Sequence, residues 1–287
     1  MMQNKIALVT GANTGIGKVI TTELAHKGAT VVLVSRDRHR GEEAMREIAA
    51  TTGNSSLDLL VADLSSQQAV RDIAEQFQQR YSQLHILVNN AGAHVQQRQM
   101  SIDGIEMNLA INHLASFLLT NLLLDTMRKS TPVRVVNVLS DAMTRVNSLE
   151  DLQSEQAFVP FEVYGKAKLM QLMCGYVLAR KLTGTGITVN ALHPGITATK
   201  IINDVAPPPM RPIIGIFKLF MQSPKKGAST ALYLATSPEV EGITGQYFIK
   251  SKPERSVPIS YDKELQQRIW DVSAQLVGLD HLVEHHA

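Results

Sequence analysis

The sequence predicts a doubly wound α/β fold, one parallel seven-stranded sheet with helices on both faces. Three observations carry that expectation. Short β-branched apolar runs alternate with amphipathic stretches along the chain. Most of those runs are continuously apolar, the mark of strands buried on both faces. The first run ends in a glycine-rich turn that opens a helix, as at the phosphate site of a dinucleotide-binding sheet.

The strands are expected at KIALVT (5–10), TVVLVS (30–35), LDLLVAD (57–63), HILVNNA (85–91), VRVVNVLS (133–140), ITVNALHPG (187–195) and ITGQYFI (243–249). Helical periodicity falls between them, at 18–27, 41–51, 67–81, 108–129, 164–183 and 226–235. Two longer irregular stretches remain, 141–163 and 197–225. Segments of that length in a compact domain are binding loops or lids. Stretch 197–225 carries Pro207-Pro208-Pro209 and the apolar run 212–221, so it is expected to be a substrate lid; a dimer contact or a core helix is the alternative. No repeat or low-complexity linker divides the chain, which reads as one catalytic domain, 1–287, with 250–287 as a C-terminal extension.

Composition narrows the function classes. Hydrophobic residues make up 44% and charged residues 19%, enough apolar surface for a sizeable core. A net charge of +2 from scattered residues gives no electrostatic footprint for nucleic acid. The single cysteine, Cys174, excludes an intramolecular disulfide and any paired-thiolate zinc site, and fits a reducing compartment. No His/Cys/Asp cluster has metal-ligand spacing, so no metal is expected. The opening apolar stretch is too short for a secretory core, and 212–221 is too short to span a bilayer. A cytoplasmic protein acting on small molecules is expected, although 212–221 could rest on a membrane or a greasy ligand.

The turn Thr10-Gly11-Ala12-Asn13-Thr14-Gly15-Ile16-Gly17 has the spacing GxxxGxG. Glycines so placed let the backbone approach a pyrophosphate, and the helix N-terminus attracts the anion. Gly11, Asn13, Thr14, Gly15, Ile16 and Gly17 are therefore candidate cofactor contacts. The second strand ends at Ser35 and is followed by Arg36, where an NAD enzyme needs an acid for the ribose 2′-hydroxyl. The guanidinium fork of Arg36 suits a 2′-phosphate, which favours NADP(H). Asp37 follows at once, and a two-residue slip would restore the acid.

Tyr164 and Lys168, four apart on a helix, share one face. An ammonium near a phenol stabilises phenolate and lowers its pKa, which suits Tyr164 for general acid–base work. Ser140 closes a central strand, at the edge where open α/β sheets bind ligands.

These motifs together resemble the short-chain dehydrogenase/reductase family. The match runs through TGANTGIG at 10–17, Asp63-Leu64, Asn89-Asn90-Ala91-Gly92, Asn112, Ser140, Tyr164-xxx-Lys168 and Pro194-Gly195. Stretches such as LTGTGITVNALHPG and EGITGQYF look like the retinol dehydrogenase and WW-domain oxidoreductase branch. The resemblance implies a Rossmann-type fold and an alcohol/carbonyl oxidoreductase acting on a lipophilic substrate such as retinol or retinal. It also implies that Asp63 meets adenine, with Leu64 beside it, and that Asn89, Ala91 and Gly92 pass the ribose. Ser140 would bind the substrate oxygen. Lys168 would hold the nicotinamide ribose. Asn112 would kink its helix and hold a relay water, and Pro194, Gly195, Thr197 and Thr199 would meet the carboxamide. A homo-oligomer through 108–129 and 164–183 is a further implication. Two other readings stay open: a nucleotide-sugar epimerase, whose loop is normally TGxxGxxG, and an NADP-binding sensor or scaffold without catalysis. His113, next to Asn112, reads as a satisfied core histidine.

Overall fold

The computed structural model describes residues 2–146, 148–195 and 223–279. Its strands are β1 (Ile6–Thr10), β2 (Thr30–Ser35), β3 (Leu57–Val61), β4 (Ile86–Asn89), β5 (Val133–Val138), β6 (Ile187–His193), β7 (Tyr247–Ile249) and β8 (Lys252–Glu254). The helices are α1 (Gly15–His26), α2 (Arg38–Thr52), α3 (Gln67–Arg80), α4 (Met107–Leu109), α5 (Ala115–Leu122), α6 (Leu124–Arg128), α7 (Pro160–Lys181), α8 (Pro224–Thr236) and α9 (Lys263–Leu276).

The strands form one sheet in the order β3-β2-β1-β4-β5-β6-β7-β8. Every pairing from β3 to β7 is parallel. Along β1, alternate residues enter different cores, as the pleat requires. On β1, Leu8 packs toward α3, α5, α7 and α9, while Ala7 and Val9 pack toward α1, α2 and α8. All three are fully buried. The continuous apolar strands thus reflect two covered faces, and the doubly wound expectation holds.

The eighth strand corrects the expected seven. β8 pairs antiparallel with β7 through a two-residue turn at Lys250-Ser251, both in the left-handed region (φ 50° and 60°). Positive φ at both centres is a type I′ hairpin, usually signalled by Asn-Gly or Asp-Gly. Lys-Ser gives no such signal, and the exposed Lys252, Pro253 and Glu254 give no apolar run.

The helix expected over 108–129 is broken. It starts as α4, widens into a π-helical turn at Ala110–Leu114, and continues as α5 and α6. The helix expected from 164 begins a turn earlier, at Pro160, which occupies the first helical position. The start of α8 at Pro224, capped by Ser223, makes residues 224–225 helical, so they leave the expected lid. The rest of 197–225, including the run 212–221, lies outside the described residues.

The expected C-terminal extension contributes β8 and α9. The Trp270 ring meets Phe117 at 4.8 Å with the Lys181 ammonium over its face. Gln67 Nε2 donates to Leu276 O at 2.8 Å, and Arg71 donates to Val277 O. α9 therefore covers part of the α5–α7 face on which a contact between copies was expected.

Candidate active site

Strand order reverses between β1 and β4, and their carboxyl ends form the crevice where open α/β sheets bind ligands. Two loops meet there. Thr10 Oγ1 accepts hydrogen bonds from Asn90 N and Ala91 N, each at 3.0 Å. Asn90 Nδ2 donates back to Thr10 O at 2.8 Å and Gly11 O at 3.3 Å. A Cβ at Gly17 would sit 2.3 Å from Gly11 O and 2.4 Å from Asn90 Nδ2, so only glycine permits this closure. Asn89 itself points elsewhere: its Nδ2 donates to Thr120 Oγ1 and Asn137 Oδ1 in the core. Only the backbone of Asn89 is left for the ligand contact expected of it, and Asn90 ties the two loops together.

The loop leaves α1 open. Thr14, exposed, occupies the N-cap in extended conformation without a side-chain cap bond, and no acid sits in the first turn. α2, α3, α8 and α9 are capped by Asp37, Ser66, Ser223 and Asp262. Beside Thr14, Asn13 is half-buried, while Ile16 is anchored in the core. An uncapped helix start under a glycine turn fits an anion such as a pyrophosphate.

At the tip of β2, Ser35 Oγ donates to Asp37 O at 3.0 Å. The Asp37 carboxylate accepts from Arg40 N at 2.9 Å, and that bond holds its pKa below the ordinary carboxylate value. Lys18 pairs with Glu47, Arg38 with Glu42 and Arg40 with Asp37. Arg36 is exposed, with no ion pair or side-chain hydrogen bond among the described residues. After β3, Asp63 Oδ1 accepts from Ser65 N and Ser65 Oγ, bracing the turn before Ser66 caps α3. Asp63 therefore braces this turn and does not cap α3. Leu64 packs against the core below.

The third group of residues lies along β5, the π-turn and α7. Ser140 follows β5 by two residues, half-buried, and its Oγ accepts from Ala142 N at 3.2 Å. Asp141–Arg145 then form a 3-10 turn against α7, close enough that Gly165 has to lack a side chain. That approach sets Tyr164, one residue before Gly165, beside the turn after Ser140. Tyr164 is 6% exposed, and its ring lies tilted beside His94 at 5.5 Å between centroids. Burial pushes its pKa up to about 12; neighbouring Ser140 opposes this and the charge of Asp141 adds to it.

Lys168 is buried too, and burial pulls its pKa down to about 7. Its Nζ donates to Val138 O at 3.0 Å and to Gln171 Oε1 at 3.1 Å. The ammonium was expected to depress Tyr164. Desolvation wins instead, because both groups are stripped of water and the ammonium is engaged with other acceptors.

Asn112 lies in the π-turn, fully buried. Its Oδ1 accepts from Ala93 N at 3.0 Å, and its Nδ2 donates to Ala93 O and Asn108 O. The expected kink is thus a π-turn whose amide clips the chain just after Gly92. Asn108 Oδ1 adds a second clip at Val95 N, and buried Glu106 caps α4 through Asn108 N and Leu109 N. His113 is buried, with Nε2 2.7 Å from Ser273 Oγ on α9. After β6, Pro194 and Gly195 are half-buried, and Gly195 takes φ 81°. Thr197 and Thr199 lie outside the described residues. Among the described residues no group of His, Cys, Asp or Glu could hold a metal ion, and no helix is long and apolar enough to cross a membrane.

Sequence reasoning passed over Gln171, Gly165, Thr10 and the side chain of Asn90. Asn90 lay inside a quoted motif, and only the strand's alternation, with Asn89 turned into the core, could have separated the two.

Comparison with known proteins agrees with this geometry. The family model for short chain dehydrogenase matches residues 5–208. Retinol dehydrogenase 14 of Homo sapiens is 37% identical over 97% of this chain and 88% of its own length. Retinol dehydrogenase 12 of Bos taurus is 38% identical over 96% of this chain and 87% of its own length. Among solved structures, an uncharacterised protein from Mycobacterium paratuberculosis superposes with a TM-score of 0.78 at 29% identity, covering 96% of this chain and 94% of that one. A short chain dehydrogenase from Burkholderia cenocepacia J2315, solved in complex with NADP, gives 0.69 at 27% identity, covering 86% and 96%. With a crevice built at the β1/β4 reversal and a tyrosine and a lysine both buried four residues apart on α7, this chain belongs to the short-chain dehydrogenase/reductase family, on its retinol dehydrogenase-like branch, and is an alcohol/carbonyl oxidoreductase.

Proposed function

We propose that the protein interconverts a lipophilic alcohol, of the retinol type, and its aldehyde or ketone with NADP(H) as cofactor. The observation that carries this reading is the buried Tyr164, four residues before the buried Lys168 on α7 and held against the turn that follows Ser140 at the carboxyl edge of β5. A phenol held neutral in that position can give a proton to a carbonyl oxygen, and in the reverse direction its phenolate form takes one from an alcohol. Ser140, at the carboxyl edge of β5, would orient the substrate oxygen against it. Lys168 and Asn112 lie on the inner side of the same site, and the Asn112 clip fixes the chain at Ala93. The bound nicotinamide supplies the hydride donor or acceptor.

The residues present suit such a cofactor. The open start of α1, with Gly11, Gly15 and Gly17 in its loop, would hold the pyrophosphate, and Asp63 with Leu64 would border the adenine. The backbone of Asn89, Ala91 and Gly92 would border a ribose. Pro194 and Gly195, with Thr197 and Thr199 beyond them, would border the carboxamide. Ser35 and Arg36 would receive the adenine ribose, and the free guanidinium of Arg36 favours a 2′-phosphate. Asp37, the competing acid, is committed to capping α2. The lipophilic preference is supported by the retinol dehydrogenases to which the chain is similar.

Initial rates with NADPH and NADH on retinal, a long-chain aldehyde and a small ketone test the reading. It expects turnover, at least tenfold in favour of NADPH, and a higher kcat/KM for the lipophilic carbonyls. No turnover of any carbonyl or alcohol with either nucleotide would overturn it.

A further inference from the structure

The Lys168 side chain is 2% exposed, and an ammonium there is costly to bury unless its donors find acceptors. It has three donors. One meets Val138 O at 3.0 Å and one meets Gln171 Oε1 at 3.1 Å. The remaining direction borders Gly92, where a Cβ would lie 3.8 Å from Nζ and 3.0 Å from Asn112 Oδ1. We propose that Gln171 is a positioning residue: its side-chain carbonyl anchors the Lys168 ammonium and leaves the third donor facing the Gly92–Asn112 side, where a sugar hydroxyl of the nicotinamide cofactor would bind. The proposal rests on the oxidoreductase reading above.

Gln171 is itself 4% exposed, among Met170, Leu172 and Met173, which are fully buried. Packing alone would be served by another apolar residue at that place. A buried amide is tolerated where it makes a hydrogen bond, and the one it makes here goes to Lys168. The ionisable groups around the lysine give it no counter-charge. Tyr164 and Cys174 on α7 are both pushed up to about 12 by burial, and so are neutral at neutral pH. His113 on the π-turn is pushed down to about 3, by burial and then by the charge of Lys168, so it is neutral as well. Asp141, on the turn after Ser140, acts on Tyr164 and His193. Burial lowers the Lys168 pKa. The dipoles of Val138 O and Gln171 Oε1 are then what hold the proton on the ammonium.

The test uses the full-length chain with Gln171→Leu and with the near-isosteric Gln171→Glu. Lys168 is titrated by ¹³C NMR of its ε-carbon with no nucleotide added, the signal being assigned by its loss in Lys168→Met. The pH profile of kcat is recorded beside it. Leu is expected to lower the Lys168 pKa, a tenfold or larger change in the acid constant, and to move the alkaline loss of activity to lower pH. Glu is expected to move both in the opposite direction. A Lys168 titration unchanged in both variants, even with a lower Tm, would overturn the proposal and make Gln171 a packing residue. If Leu does not fold, the direction of the Glu shift decides alone. A wild type without turnover overturns the oxidoreductase reading, while the titration still decides whether Gln171 holds the ammonium.

Discussion

Gly165 lies against Ala142 so closely that a Cβ on it would be 2.5 Å from the Ala142 carbonyl oxygen. This contact sets how near α7 comes to the turn after Ser140, and so where Tyr164, one residue earlier, places its hydroxyl. A methyl group at Gly165 must move the turn or the helix. Overpacking of this kind costs about 1–3 kcal/mol, and a displacement of about 1 Å at reacting groups can cost about a hundredfold in rate. Gly165→Ala is therefore expected to lower kcat by tenfold or more. Steady-state kinetics and urea unfolding check this together, and wild-type kcat with wild-type stability would show that the close approach is unimportant.

Arg36 offers the one guanidinium near the tip of β2 that has no ion pair among the described residues, Arg38 and Arg40 being paired. A hydrogen bond to a charged group contributes about 1.5–3 kcal/mol, roughly a tenfold to hundredfold preference. Arg36→Ala is expected to weaken NADPH binding by that factor and to spare NADH. Titration of the two nucleotides by intrinsic fluorescence measures it. Equal losses for both would assign the selectivity to another residue.

His113 carries a pH dependence of stability. Its pKa falls from 6.5 to about 3, because burial excludes the charged form and the Lys168 charge opposes it further. Between those values the unfolded chain binds a proton that the folded chain does not. The contribution of neutral His113 is fully present above about pH 6.5 and is lost as pH falls toward 3. One proton corresponds to about 1.4 kcal/mol per pH unit. His113→Gln, which keeps a polar group toward Ser273, is expected to flatten the loss of stability between pH 6.5 and 4. Urea midpoints at several pH values decide, and equal slopes in both proteins would contradict it.

What the sequence made legible follows from how locally each feature is encoded. The central strands were readable because both faces are buried, as on β1, where Leu8, Ala7 and Val9 are all apolar. The hairpin to β8 was not, because its turn uses Lys250 and Ser251 at positive φ without the usual turn residues. In the site, Tyr164 and Lys168 share one helical face by spacing alone. Their protonation was misread because desolvation depends on everything packed around them, and spacing on one helix says nothing of it. Asn89 and Asn90 adjoin in sequence, yet the pleat sends one side chain into the core and the other to the glycine loop.

The central claim is that Tyr164 gives the proton in reduction and, as phenolate, takes it in oxidation, and Tyr164→Phe tests it most directly, since only the hydroxyl is lost from a packed ring. Single-turnover kinetics under conditions where chemistry limits the rate should show a fall of roughly 10²–10⁴, with nucleotide binding and Tm near those of the wild type. A variant that turns over at close to the wild-type rate under those conditions would contradict the account.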